Sequence, residues 1–346
     1  MRILNYYKYK RKVSNFKVLS FCSKPLEQVK ILFFGTDNFS LPSLKELHKN
    51  KMQQDSKIKL LEVVTSFKKP INPIRKYAMD HKIPLHNWPS CVDDLNIGRF
   101  NIGIVVSFGY LIPSKIISKF PMGMINLHAS LLPRWRGAAP IVHAIANGDD
   151  KTGVSIMKIE PKHFDIGDIL YQEEVLIDNH ILMPELFKNL AEVGSKLIIK
   201  TVQNCPECFN KFTKQNDLLV SYAPKISLEM TEIKWQTMTA KKIYNLYRAL
   251  YGYKSLSTKF RNLNIKIIEI SFKDFFILGE EDSFSKQRCG SIKYCKEDDT
   301  MIVLCKHFEY IKVKKLKVEG KKIMTAAEFN NGFLKKLNER ELLYFE

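Results

Sequence analysis

Short apolar runs alternate with amphipathic stretches through the first two thirds of the chain. The apolar runs that predict buried strands are 29–34, 60–65, 101–107, 124–128 and 154–159. Apolar residues at helical spacing predict helices at 41–49, 75–81 and 186–204. Strands that alternate with helices predict an α/β domain, residues 27–210, in which helices cover both faces of a parallel sheet.

The pattern changes after about residue 205. Residues 211–227 are largely polar and predict a linker. A helix is predicted at 239–250, and the short apolar runs that follow it are 265–272, 290–294, 301–304 and 310–318. Short strands separated by polar turns predict a second, smaller domain, residues 228–346, built as a β-barrel.

Charge is spread unevenly along the chain, whose formal net charge is +19. Residues 223–346 hold 24 basic and 16 acidic side chains, whereas residues 27–222 are nearly balanced. A basic domain beside a near-neutral one favours a polyanionic partner, and nucleic acid is the first candidate. Solubility alone is the alternative explanation of the same excess.

The first 26 residues contain seven Lys or Arg and no Asp or Glu. Aromatic and aliphatic residues are interspersed among them, a pattern typical of the basic amphipathic helix of a mitochondrial transit peptide. We therefore predict a transit peptide at 1–26 and a location in the mitochondrial matrix, with a disordered basic tail as the alternative. No uninterrupted apolar stretch approaches about 20 residues, so no membrane span is predicted.

Seven cysteines are present, an odd number in a long chain. This count argues against a disulfide framework and favours a reducing compartment. Cys205 and Cys208 have the spacing of zinc ligands, but no second such pair or paired histidines completes a site. We interpret them as structural thiols and predict no metal.

The turn after the first strand excludes one common ligand class. It reads Gly35-Thr-Asp-Asn-Phe-Ser40, whereas a dinucleotide-binding turn needs glycine at three positions for a tight bend and close phosphate approach. The sheet therefore has a Rossmann-like pattern without the nicotinamide motif, which counts against a dehydrogenase.

Candidate chemistry lies at the end of the fourth predicted strand. Asn126 and His128 are two residues apart, so their side chains project from one face into the crevice beyond the strand. An amide can stabilise a developing oxyanion, and an imidazole can shuttle a proton near neutral pH. Asp165, on a loop with Gly167, could reach the imidazole and fix its orientation. A structural Asn–His pair and a plain Asp/Gly turn remain the alternatives.

The segment Ser130-Leu-Leu-Pro-Arg-Trp-Arg-Gly137, followed by Ala138-Ala-Pro140, resembles the signature of enzymes that use 10-formyltetrahydrofolate, in its methionyl-tRNA formyltransferase form. The further segments that fit the same family, in order, are 34–36, 148–149, 152–157, 165–168, 222–226, 233–235 and 325–333. The resemblance covers about nine-tenths of the chain, which is far more specific than a single motif.

The resemblance implies an enzyme that transfers the formyl group of 10-formyltetrahydrofolate to initiator Met-tRNA in mitochondrial translation. It places Asn126, His128 and Asp165 at the catalytic positions, and it implies an OB-like C-terminal domain that helps to hold tRNA. The residues it assigns to folate are Val105, Ser107, Phe108, Gly109, Tyr110, Ser130, Leu131, Leu132 and Pro133, and it also places folate against the loop 161–165. Those it assigns to tRNA are Lys68, Lys69, Arg134, Arg136 and Lys225. We expect a monomer.

The chain departs from the family pattern at two places. The basic loop after the second strand is short, because Ser66-Phe-Lys-Lys-Pro70 leads quickly to Arg75, and Asp37-Asn38 replaces the usual Pro-Asp. The alternatives within the enzyme class are a formyltetrahydrofolate hydrolase, which would use the same three residues with water as the acceptor, and a sugar-amine formyltransferase. A folate- or RNA-binding protein without turnover is the rival from another class. The C-terminal pattern and its charge favour tRNA.

Overall fold

The structure is a computed structural model that describes residues 28–92, 95–161, 163–277, 283–336 and 343–346. The predicted leader at 1–26 lies outside the described residues. The family-like segments all fall in one of two folded parts, an N-terminal α/β domain and a C-terminal antiparallel β domain.

Seven strands of the described N-terminal residues form one mixed sheet. They are β1 (Val29–Gly35), β2 (Ile58–Ser66), β3 (Leu85–Trp88), β4 (Ile102–Val106), β5 (Met124–His128), and then, after a two-residue strand β6 (Arg136–Gly137), β7 (Lys151–Lys158) and β8 (Ile169–Leu176). The order across the sheet is β3-β2-β1-β4-β5-β7-β8. The first five run parallel, whereas β7 is antiparallel to β5 and β8 is antiparallel to β7.

The predicted parallel α/β sheet is thus confirmed for its central part, and its far edge is antiparallel. The chain after β5 returns through a short helix to an antiparallel neighbour. Strand β8 was not predicted, because most of its residues are exposed or half-buried and leave no continuous apolar run. The helices that accompany the sheet are α1 (Leu41–Lys51), α2 (Pro73–Asp80), α3 (Ser114–Ile117), α4 (Pro140–Asn147) and α5 (Met183–Gln203).

Two apolar clusters cover the two faces of the sheet. The larger contains Leu127 of β5 together with buried residues of α1, α2, α4 and α5. The smaller lies on the opposite face and contains Phe34, Val105, Phe108 and Met124. Because alternate residues of a strand face opposite ways, Asn126 and His128 share the face of Met124 and lie above the smaller cluster.

The C-terminal domain begins after a two-residue strand β9 (Tyr222–Ala223). Its elements are α6 (Ala240–Leu250), β10 (Leu256–Phe260), β11 (Leu263–Ile277), β12 (Ile292–Cys295), β13 (Thr300–Leu304), β14 (Glu309–Val318), β15 (Ile323–Thr325) and α7 (Ala326–Phe329). Among the described residues of this domain, six strands form an antiparallel sheet in the order β10-β11-β14-β13-β12, with β15 also paired to β14.

The last residues of the chain join the two edges of this sheet. The amide of Glu346 donates to the carbonyl of Lys259 in β10 at 2.8 Å, and the amide of Phe345 donates to the carbonyl of Gly290 just before β12 at 2.8 Å. Phe345 is 1% exposed and its ring stacks on that of Trp235. The C-terminal segment therefore fills the gap between β10 and β12, as a closed β-barrel requires.

Helix α6 joins the two domains. It packs against α4, and its buried Arg248 donates to the carbonyls of Asp178 and Ile181 at 3.0 and 3.1 Å. Burial lowers the pKa of Arg248, yet the two carbonyls and the amide of Asn245 engage its guanidinium. The N-terminal and C-terminal domains are thus held together by buried polar contacts.

The segment 211–227, predicted as a linker, is bonded along the N-terminal domain. Thr213 pairs with Ile169, and β9 pairs in parallel with β6. These bonds fix its path, so it serves as a structural part of the N-terminal domain. Among the described residues, every helix is too short or too polar to span a lipid bilayer.

Candidate active site

The carboxyl ends of β1, β4 and β5 lie side by side, and the strand order reverses direction between β1 and β4. Ligands of open α/β sheets bind in the crevice at such a point. Two contacts close its floor: the Thr36 hydroxyl donates to the carbonyl of Ser107 at 2.9 Å, and the Ser107 hydroxyl donates to the carboxylate of Asp37. The Asp37 carboxylate also accepts hydrogen bonds from the amides of Phe39 and Ser40. Asp37, which stands where the family usually has proline, therefore stabilises this turn through its side chain.

Asn126 and His128 lie at the carboxyl end of β5 and border this crevice, as the sequence predicted. Asn126 pairs with Val105 of β4 on one side and with Met157 of β7 on the other. Its side chain is half-buried and makes no hydrogen bond to any described residue. A half-buried amide without a protein partner is available to a bound ligand.

The ring of His128 is buried and held from two sides. Its Nε2 lies 2.9 Å from the carbonyl oxygen of Trp135, and its Nδ1 lies 3.5 Å from Oδ1 of Asp165. A carbonyl only accepts hydrogen bonds, so Nε2 carries a proton. Nδ1 is therefore the nitrogen shared with the carboxylate. The structure thus brings together the residues predicted to be catalytic.

Asp165 is fixed by its own backbone and by two neighbours. It has a φ of +56°, in the left-handed region that residues other than glycine adopt uncommonly. Its Oδ2 accepts from the amide of Gly137 at 3.0 Å, and its carbonyl accepts from Gln215 at 2.9 Å. Gly137 has a φ of +126°, and an added Cβ would lie 2.6 Å from the carbonyl oxygen of Ala223, so glycine is required there.

Gln215 is a site residue that the sequence did not reveal, because it lies in the polar segment read as a linker. Its amide nitrogen holds the carbonyls of Asp165 and Gly167, and its amide oxygen accepts two bonds from the guanidinium of Arg136 at 3.0 and 2.8 Å. Arg136 is 8% exposed. Arg136 therefore positions the Asp165 loop through Gln215, and its burial excludes it from the surface expected to bind tRNA.

The loop that follows β5 is anchored by Ser155 of β7, a second residue that the sequence did not single out. The Ser155 hydroxyl donates to the carbonyl of Ser130 at 2.6 Å and accepts from the amide of Leu132 at 3.0 Å and from Gln172 at 2.8 Å. Ser130 and Leu132 are buried. Of the loop residues assigned to folate, these two therefore support the loop, and the half-buried Leu131 and Pro133 are the ones open to a ligand.

The remaining residues assigned to folate form one wall of the crevice. Val105 and Phe108 are 7% and 3% exposed, and Phe108 packs edge-on against Phe34 and Trp88. Gly109 is exposed with a φ of +73°, and half-buried Tyr110 leans on the ring of Phe108. An apolar wall that ends in an open backbone turn, beside the unpaired amide of Asn126, fits a planar ligand that also carries polar groups.

Three of the five cations assigned to tRNA are open to solvent, and their ammonium groups form no ion pair with any described residue. Lys68, Lys69 and Lys225 are exposed. Arg134 is also exposed but is bound to Asp149 through Nε at 2.8 Å, and Asp149 accepts from the Trp135 ring at 2.7 Å. Arg134 thus helps to fix Trp135 while its outer face remains accessible.

His143, Cys205 and Cys208 lie outside this crevice and have structural contacts. His143 bonds the carbonyl of Pro224 at 3.0 Å. The sulfur atoms of Cys205 and Cys208 are buried and 3.9 Å apart, and hydrogen bonding between them together with burial raises the pKa of Cys205. The described residues contain no group of three or more potential metal ligands.

Two family models match this chain. The model described as formyl transferase matches residues 29–202, and the model described as formyl transferase, C-terminal domain, matches residues 225–334. A mitochondrial methionyl-tRNA formyltransferase of Bos taurus is 37% identical over 309 residues, which cover 88% of this chain and 77% of that protein. A methionyl-tRNA formyltransferase of Fusobacterium nucleatum is 30% identical and is matched over 90% of this chain and 99% of its own length.

The fold has solved counterparts. An N-formyltransferase from Helicobacter canadensis, crystallised with folinic acid and dTDP-3-aminofucose, superimposes with a TM-score of 0.60 at 18% identity and covers 83% of this chain and 99% of its own. At this identity the likeness concerns the fold alone. Together the matched N-terminal and C-terminal domains confirm the predicted resemblance, and the chain belongs to the formyl transferase family.

Proposed function

We propose that this protein transfers the formyl group of 10-formyltetrahydrofolate to the α-amine of methionyl-tRNA in mitochondria. The observation that carries the proposal is the convergence of Asn126, His128 and Asp165 in one crevice of a formyl transferase fold. The identity to methionyl-tRNA formyltransferases, four of them named as mitochondrial, supports the acceptor and the compartment. The basic leader at 1–26 is consistent with the matrix as the final location.

Bound 10-formyltetrahydrofolate supplies the formyl group, and the wall from Val105 to Tyr110 is the surface that would hold it. The amide of Asn126 would donate to the formyl oxygen, on which negative charge grows as the amine attacks. A positioned amide donor of this kind acts mainly on the transition state, since the charge it binds is small in the ground state. Asn126 is suited to it because the described protein gives its amide no competing partner.

His128 and Asp165 would manage the proton. A new bond forms between the amine nitrogen and the formyl carbon, the bond between that carbon and N10 of the folate breaks, and one proton passes from the amine to N10. Asp165 faces Nδ1 of His128 and would accept the proton from the attacking amine. With Nε2 fixed on Trp135, a protonated His128 ring would stabilise the negative charge beside it and return a proton through the carboxylate.

The acceptor tRNA would be held by the exposed cations around the crevice, Lys68, Lys69, Arg134 and Lys225, together with the basic C-terminal domain. Phosphates are bound by such cations largely without sequence preference. We propose that the protein acts as a monomer, with both substrates bound by one chain.

The test is a formylation assay with the full chain, 10-formyltetrahydrofolate and methionine-charged initiator tRNA. Mild alkaline release of the amino acid followed by mass spectrometry is expected to give N-formylmethionine in step with tetrahydrofolate. Release of formate without formylmethionine would instead identify a hydrolase and would overturn the proposal.

A further inference from the structure

Large apolar side chains are exposed around the catalytic carboxylate. Phe164 directly precedes Asp165 and is 67% exposed, and Tyr222 is 69% exposed. Leu218 and Leu219, on the turn that follows Gln215, are 93% and 63% exposed. Clusters of exposed apolar surface on a folded protein mark places where a ligand or partner binds.

Two chain connections place Phe164 and Tyr222 beside the catalytic groups. Tyr222 of β9 pairs with Arg136 of β6, and the next residue pairs with Gly137. The amide of Gly137 donates to Asp165, which follows Phe164. Phe164 is therefore adjacent in sequence to one end of this hydrogen bond. Tyr222 lies on the neighbouring strand, paired with the residue that precedes the other end, and such strands are only about 4.8 Å apart.

Neither ring has a partner within the described protein. Phe164 and Tyr222 make no aromatic, cation–π or side-chain hydrogen-bond contact with any described residue. Other tyrosines of the chain differ, since the rings of Tyr244, Tyr247 and Tyr251 pack on one another. Two open rings that flank a catalytic carboxylate present flat apolar faces to whatever enters the crevice.

The substrate supplies a matching group. The methionine of Met-tRNA is esterified to the terminal nucleoside, so its amine cannot reach Asp165 unless the terminal base lies close by. Exposed Lys225 lies three positions after Tyr222, and exposed Lys214 precedes Gln215, whose side chain bonds the carbonyl of Asp165 beside Phe164. Aromatic rings interleaved with cations bind single-stranded nucleic acid by stacking and by phosphate contacts.

We propose that Phe164 and Tyr222 form a platform on which the 3′-terminal adenine of Met-tRNA stacks, with Leu218 and Leu219 as its apolar margin. The inference rests on the proposed function and specifies how the acceptor end is positioned. Stacking orients the ester-linked amine toward His128 and Asp165. It also compensates for the short basic loop at Lys68 and Lys69, because part of the tRNA affinity comes from the acceptor end itself.

The experiment uses the full chain and Met-tRNA whose terminal adenine is replaced by 2-aminopurine, a base whose fluorescence falls on stacking. We expect binding to quench the wild-type complex. Phe164→Ala and Tyr222→Ala should each abolish most of the quenching and raise KM for Met-tRNA by about 5- to 100-fold, with KM for 10-formyltetrahydrofolate unchanged. Phe164→Tyr and Tyr222→Phe should restore both properties, since a ring is all that stacking needs.

Tyr253→Ala is the matched control, because Tyr253 is 57% exposed in the C-terminal domain. An unquenched wild-type complex, or alanine variants with wild-type KM for Met-tRNA, would overturn the platform. A change confined to KM for 10-formyltetrahydrofolate would assign the rings to the donor and would also overturn it. Failure of the proposed function is a separate result, in which the wild-type protein makes no formylmethionine.

Discussion

The backbone of Trp135, not its ring, orients His128: the carbonyl oxygen of Trp135 lies 2.9 Å from Nε2 of the imidazole. This contact fixes a proton on Nε2 and leaves Nδ1 facing Asp165 at 3.5 Å. The tryptophan ring is in turn bound by Asp149 at 2.7 Å. The segment that carries the family signature therefore sets the direction of the His128 ring, to which we assign a catalytic role under the proposed function.

Removal of either member of the His128–Asp165 pair should reduce turnover. We expect His128→Ala and Asp165→Ala each to lower kcat by about two decades or more, because both groups take part in proton movement. Single-turnover formylation measures the effect, and filter binding should show that tRNA is still bound. His81→Ala, at an exposed turn after α2, is the control and should be near normal. Near-normal turnover in either of the first two variants would remove the mechanism.

Asn126 should contribute chiefly to kcat. We expect Asn126→Ala to lower kcat by about 100- to 1,000-fold, the usual effect of losing an oxyanion donor, with little change in KM for either substrate. Asn126→Asp should be as slow, since a carboxylate repels the developing charge. Asn204→Ala, at the exposed end of α5, serves as the control. A variant at Asn126 that changes KM alone would show that the amide binds substrate without acting on the transition state.

Ser155 should support both stability and the signature loop. Ser155→Ala leaves the buried amide of Leu132 and the carbonyl of Ser130 without their hydroxyl partner. We expect the free energy of unfolding to fall by about 1–3 kcal/mol in urea titration. Ser118→Ala, which removes an exposed hydroxyl, should change it little. Equal stabilities would mean that solvent replaces the hydroxyl.

Arg248 should hold the two domains together. Arg248→Ala removes the buried donor that bonds the carbonyls of Asp178 and Ile181 in the domain junction, and we expect a loss of about 2–4 kcal/mol of unfolding free energy. Lys241→Ala lies on the same helix at an exposed position and is the matched control. Limited proteolysis should cleave the Arg248 variant between the domains sooner than the control; equal cleavage rates would contradict the role.

Salt should weaken the binding of Met-tRNA in proportion to the phosphates that the protein contacts. We expect the logarithm of affinity to fall linearly with the logarithm of salt concentration, and the double variant Lys68→Ala/Lys69→Ala to lower that slope by about one to two. Fluorescence anisotropy at several salt concentrations measures it. A flat dependence for the wild-type protein would mean that its basic surface does not bind the tRNA.

The accuracy of the sequence-based predictions differs from element to element. Strand β5 was predicted with its exact bounds, and the bounds of α6 to within one residue, because each has an unbroken apolar pattern that local periodicity reveals. The antiparallel direction of β7 and the existence of β8 were not foreseen. Pairing direction depends on how the chain returns across the sheet, and the half-exposed β8 has no pattern of its own.

The sequence by itself determined the α/β domain followed by a β domain, the shared face of Asn126 and His128, and the resemblance that named Asp165. Only the tertiary structure decided that Asp165 faces Nδ1, that Arg136 is buried on Gln215, and that Phe164 and Tyr222 stand open beside them. The reason is physical: periodicity reports contacts within a few residues, whereas these depend on residues about 30 to 90 positions apart that meet only after loop closure.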